Sequence, residues 1–160
     1  IEECSIEDLK EHLVFDAFAI PELADTLLAK FTSFAAPERI QLLSDNPCRE
    51  FVPFSIDIYA TAGSYRDAER LGQTVVIPLA PHFGADDIGR LLDAVLGNSQ
   101  ISYASGTADV LLEVFKLTSA ALPASRDHWQ RFVDEMTAQH VGKTDTPYSY
   151  PSIRAKLDAA

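Results

Sequence analysis

The sequence predicts an all-α domain of short antiparallel helix pairs, stacked as a small solenoid or as an irregular helical bundle. Apolar residues return every three to four positions over most of the 160 residues, which is the period of one helix face. Proline, serine and other helix-starting residues stand just before those stripes. One candidate strand, Gln73 to Leu79 with Val75-Val76-Ile77 inside it, is set aside because a lone strand has no partner and the helical period continues across it.

Taken in order, Ser5-Ile6-Glu7-Asp8 resembles a capping box with Asp in place of Glu and leads into Leu9 and Leu13. Pro21 opens a stripe of Leu23, Ala24, Leu27, Leu28 and Phe31, and Pro37 opens Ile40 and Leu43. A proline at the first helical position loses no needed donor, so both mark starts. Ser64 caps a longer helix through Ala68, Leu71, Val75 and Val76. Pro78 must kink or stop that helix, because it lacks a donor and crowds the carbonyl of Thr74. Ile88, Leu91, Leu92, Val95 and Leu96 form the clearest stripe, ending at Gly97-Asn98, which tolerate the left-handed closing conformation. Val110, Leu111, Val114 and Phe115 make the next, with Thr107 as the expected N-cap and Asp109 in the first turn. The stripe of Trp129, Phe132, Val133 and Met136 is expected to be capped by Ser125 and stopped at Gly142. Residues 1–141 then read as one helical domain, and 142–160 as a short linker-like segment and a C-terminal helix.

Composition excludes several classes. With 47% apolar residues and no window of about 18 uncharged apolar positions, the chain is neither disordered nor membrane-spanning. Its 13 Lys and Arg against 24 Asp and Glu give a net charge of −11, a poor match for a phosphate backbone, so nucleic acid is not an expected partner. The same charge favours solubility and steers basic partners toward the surface. Two cysteines, Cys4 and Cys48, without framework spacing suit a reducing compartment, and the cytoplasm is the expected location. The opening Ile1-Glu2-Glu3-Cys4 carries no Met, basic region or apolar targeting run, so the chain is expected to be part of a longer protein.

Two stretches share a pattern. Ile40-Gln41-Leu42-Leu43-Ser44-Asp45-Asn46 leads to Ile58-Tyr59-Ala60-Thr61-Ala62-Gly63-Ser64 and a helix; Leu91-Leu92-Asp93 and Asn98 lead to Ile101-Ser102-Tyr103-Ala104-Ser105-Gly106-Thr107 and another. The two tyrosines lie 44 positions apart. Over roughly residues 21–140 the chain thus resembles HEAT or armadillo-type helical repeats, whose period is ~40–47 residues. One amphipathic helix pair cannot bury both apolar faces alone, and stacking on the next pair completes the core. The resemblance implies a scaffold or recognition role and brings no catalytic residues.

Motifs of chemistry are missing from the sequence: there is no Gly-x-Ser-x-Gly elbow, His-Glu-x-x-His, Cys-x-x-Cys, dinucleotide glycine fingerprint or EF-hand loop. Gly142-Lys143-Thr144 resembles the tail of a P-loop, but the leading glycine position holds Thr137. His82, beside Asp86 and Asp87, offers an acid/base or metal cluster on one reading. The favoured reading is a loop histidine, with both aspartates stabilising the positive end of the next helix. His128 and His140 are too far apart on one helix to share an ion, and His12 reads as a surface residue. Asp127, Arg131 and Glu135 form an i, i+4 ladder on a solvent-facing side.

Tyrosine joins large apolar area to a hydrogen-bonding tip. Tyr59 and Tyr103 are expected to plug joints between helix pairs and Trp129 to sit in the core, whereas Tyr148 and Tyr150, in the proline-flanked tail, are freer to make contacts. The sequence therefore predicts a non-catalytic protein-interaction or regulatory module without cofactor or metal. Its candidate surface comprises Tyr65, His82, Asp86, Asp87, Tyr148 and Tyr150. Two alternatives stand beside it: a small-ligand sensor with a pocket between helices near Pro78, and a small hydrolase or metal-dependent enzyme using His82 with Asp86 or Asp87.

Overall fold

A computed structural model of the chain describes residues 20–102, 105–139 and 149–159. Among these residues every regular element is helical and none is a strand, so the chain is all-α and Gln73 to Leu79 is not extended. Several predicted features lie outside the described residues: the capping box at Ser5, His12, Cys4, Tyr103, His140, the Gly142 stop with its Gly-Lys-Thr tail, and Tyr148.

Helices α1 (Pro21–Ser33) and α2 (Ala36–Asp45) open on the two prolines that mark them in the sequence. Ala35 has no side-chain oxygen to cap α2, and the Glu38 carboxylate instead reaches back to accept the Ala35 N–H at 2.9 Å. A 3-10 turn, Arg49–Phe51, runs straight into α3 (Val52–Ala60). The stripe criterion misses α3 because its sequence, VPFSIDIYA, is apolar nearly all round, and such a helix has no polar face to mark its period. It is correspondingly wrapped: Val52, Ser55, Ile56 and Tyr59 are buried, and Phe54 and Ile58 are partly so.

Ser64 caps α4 (Tyr65–Leu71) as expected, its Oγ accepting the Asp67 N–H at 3.2 Å. Beyond Leu71 the chain accommodates Pro78 without stopping. It widens into a π turn, Gly72–Val76, in which the Ile77 N–H reaches the Gly72 carbonyl, and continues as α5 (Ile77–Leu79) and a 3-10 turn, Ala80–His82. The wide turn absorbs the missing donor of Pro78 while the helical path goes on.

Helix α6 (Ala85–Gly97) buries Ile88, Leu91, Leu92 and Val95 completely. Its end corrects one expectation: Asn98 is extended, with φ −124°, not left-handed. Its side-chain amide instead donates to the carbonyls of Ala60 and Ala62 at 3.1 and 3.0 Å, fastening the end of α6 to the end of α3. The short α7 (Ser99–Ser102) and α8 (Ser105–Leu117) come next. Because α8 starts before Thr107, that residue is an interior, buried position, not the N-cap. Likewise α9 (Leu122–Gln139) begins three residues before Ser125, whose hydroxyl donates to the Ala121 carbonyl at 3.0 Å.

The last helix, α10 (Ser149–Ala159), packs against both α8 and α9. Tyr150, Ile153 and Leu157 belong to the same buried cluster as the rest of the molecule. The C-terminal helix is thus part of the core, and Tyr150 is not a free contact residue. It is 2% exposed, packs edge-on against Phe132 and donates to the Ser102 carbonyl at 3.4 Å.

Helix α6 lies against α3 and, most extensively, against α9. The π turn touches α2, α3 and α8, and Phe31 of α1 stacks on Phe51 and meets Phe54 edge-on. Two glycines mark close approaches. A Cβ on Gly72 would lie 2.5 Å from a Val110 methyl, and one on Gly89 would lie 2.9 Å from the His128 ring. Among the described residues no helix is long and apolar enough to cross a membrane.

Candidate functional site: a charged groove between α2, α3 and α4

Three helices leave a half-open groove of about 500 Å³ between them. Ala36, Arg39 and Ile40 come from α2, Phe54, Asp57, Ile58 and Thr61 from α3 and its C-terminal end, and Asp67, Arg70 and Leu71 from α4. The helical period explains the set: Ala36, Arg39 and Ile40 share one face of α2, as Phe54, Ile58 and Thr61 do on α3. Ile40, Phe54, Ile58 and Leu71 supply apolar surface, and charged groups stand among them.

Those charges are unequally satisfied. Asp67 accepts from Arg70 at 2.9 Å, one turn along α4, and Asp57 accepts from Arg90 of α6 at 3.0 Å. The Arg70 hydrogen bond is the main reason the Asp67 carboxyl lies below its ordinary range. Thr61 is occupied internally, its hydroxyl donating to the Ile58 carbonyl at 2.8 Å. Arg39 differs from them: it is half-buried, forms no ion pair among the described residues, and its Nε is buried without a hydrogen-bond partner.

The predicted surface residues are scattered by comparison. Tyr65 is exposed at the start of α4, with the Arg66 guanidinium 5.7 Å from its ring centre. His82 and Asp86 are exposed. Asp87 is not: it is 5% exposed and accepts the Gly84 N–H at 2.9 Å and Arg49 at 2.5 Å. Its carboxylate is committed to starting α6 and tying that start to the turn before α3, which removes it from the candidate surface. The hydrolase alternative loses one of its two carboxylates for the same reason. Among the described residues no three His, Cys, Asp or Glu side chains converge as metal ligands would. His128 lies over Gly89 between α6 and α9 and serves packing. Arg131 of the predicted ladder does reach Glu135, at 4.0 Å, but its closer partner is Asp93 of α6.

Sequence reasoning misses Arg39, Phe54, Asp57 and Arg70. Ile40 is marked by its stripe and Leu71 by the Ser64-capped helix, yet the groove exists only because α3 lies beside both, and α3 has no periodic signal. Comparison of the chain with protein-family models, curated proteins and solved structures finds no match to any of them.

Proposed function

We propose that the protein is a non-catalytic helical recognition module that docks a short segment of a partner protein in the α2–α3–α4 groove. The observation that supports this reading is the groove itself. A half-open cleft of about 500 Å³ with apolar side chains and a few placed charges has the size and mixed lining of a recognition site. The HEAT or armadillo resemblance belongs to the same proposal, since stacked helix pairs present such clefts between neighbours. So do the cytoplasmic setting and a protein, not a nucleic acid, as partner; the net charge of −11 favours that choice.

One observation favours the small-ligand sensor as a second reading: Leu71, in the groove wall, is followed directly by the π turn. A ligand pressing on Leu71 would act on the most irregular stretch of that helix.

Selection of random 12-residue peptides on the immobilised chain, followed by amide-shift mapping of the bound peptides, tests the docking reading. Shifts concentrated at residues 36–40, 54–61 and 67–71 are the expected result. Binders that shift other surfaces, or no binders at all, would overturn it.

A further inference from the structure

We infer that the segment docked in the groove presents one carboxylate side chain beside a large apolar one, with Arg39 as the residue that selects the carboxylate. This rests on the docking reading above and deepens it. The groove contains four charged side chains, and three are already matched: Asp67 with Arg70 at 2.9 Å and Asp57 with Arg90 at 3.0 Å. Arg39 alone among them has no ion-pair partner in the described residues, and its Nε–H is buried with nothing to accept it.

The Nε–H itself is closed off from solvent, so an incoming acceptor meets Arg39 at its terminal guanidinium nitrogens, where pairing offsets the desolvation of a half-buried cation. A carboxylate fits best, because the planar guanidinium fork offers two parallel donors at carboxylate spacing. Ile40 and Phe54 line the same groove and supply apolar surface there, so the recognised unit is an acidic residue adjoining a Leu, Ile, Phe or similar side chain. The overall charge of −11 limits the acid to a local feature, since a wholly acidic segment would be repelled before contact. The remainder of the segment is then neutral or basic.

The test uses the peptides selected on the whole chain. Wild-type selection is expected to enrich single Asp or Glu residues next to large apolar ones. Changing that acid to its amide should weaken binding about ten- to a hundredfold. Arg39→Gln should weaken the parent peptide by a similar factor and leave the amide peptide's affinity unchanged, the non-additivity that marks a direct pair. Arg39→Glu should transfer preference to peptides with Lys at the acidic position. Far-UV circular dichroism verifies that the variants fold, and the peptide-side change reads the same contact if Arg39→Gln does not. Peptides that dock in the groove without an acid, indifferent to both changes, would overturn the carboxylate inference and leave the docking reading standing. Binding that maps away from the groove, self-association of the chain through it, or no binding would overturn both.

Discussion

Cys48, Tyr59 and Tyr150 show how burial turns ordinary side chains into pH-sensitive stability elements. Desolvation raises the Cys48 thiol from its ordinary 9.0 to about 11 and the Tyr59 phenol to about 12, and it moves Tyr150 upward as well. In each case the folded chain holds a proton that the unfolded chain would release. The stability that depends on these protons is complete below about pH 9, and it is lost as pH rises toward 11 and beyond. The melting temperature should therefore fall from about pH 9 upward, and Cys48→Ala should flatten the first part of that fall while leaving the Tyr59-dependent part; thermal melts across the range read both. An equally steep fall in Cys48→Ala would disprove the assignment. Trp129 presents the opposite problem. It is fully buried between Phe115 and Phe132, meeting both edge-on, yet its Nε1 has no acceptor among the described residues. Trp129→Ala should cost about 3–5 kcal/mol in urea unfolding. Trp129→Phe should cost much less, because it removes an unsatisfied donor along with the lost area.

At the level of elements, the two close-approach glycines look alike in sequence but differ in what they face. Gly72 meets the short, branched Val110, which has no flexible end to yield, whereas Gly89 meets the far end of the His128 side chain. Alanine gains roughly 1 kcal/mol over glycine in a helix, and overpacking costs about 1–3 kcal/mol. Gly72→Ala should be net destabilising by up to about 2 kcal/mol, and Gly89→Ala closer to neutral, as measured by denaturant midpoints. A similar contrast explains which elements are legible in the sequence. Helices whose apolar residues occupy one face, α1, α4, α6, α8 and α9, are written in the 3.6-residue period, and Pro21, Pro37 and Ser64 mark real starts. Thr107 and Ser125 fail as caps because a hydroxyl within a helix can be buried in the core or bond back to the preceding turn, and composition does not distinguish these uses. The nearly all-apolar α3 has no clear period to read, and the groove is hidden with it, since Phe54, Asp57 and Ile58 form its middle wall. Arg39 is visible in the sequence, but its lack of an ion-pair partner among the described residues is a property of three helices together.

Over the whole molecule, the decisive question is whether the C-terminal helix is an appendage or part of the same cooperative unit. A proline-flanked tail beginning at Gly142 suggests the former. Packing argues for the latter. Ile153 and Leu157 are fully buried, Tyr150 joins an aromatic chain through Phe132 to Trp129 and Phe115, and Arg126 of α9 donates to the Leu157 carbonyl at 2.6 Å. The exposed Arg154–Asp134 pair across α10 and α9 adds little, because solvent screens it even though the hydrogen bonds from Arg154 and Gln130 hold the Asp134 carboxyl below its usual range. If the buried contacts make one core, Leu157→Ala should cost about 2–5 kcal/mol and lower a single calorimetric transition of the entire chain. Trp129 fluorescence and far-UV circular dichroism should then track the same shifted curve. A separate, low-temperature transition in the variant, with the tryptophan signal unmoved, would show α10 melting by itself and would return the C-terminal segment to the status of an attachment.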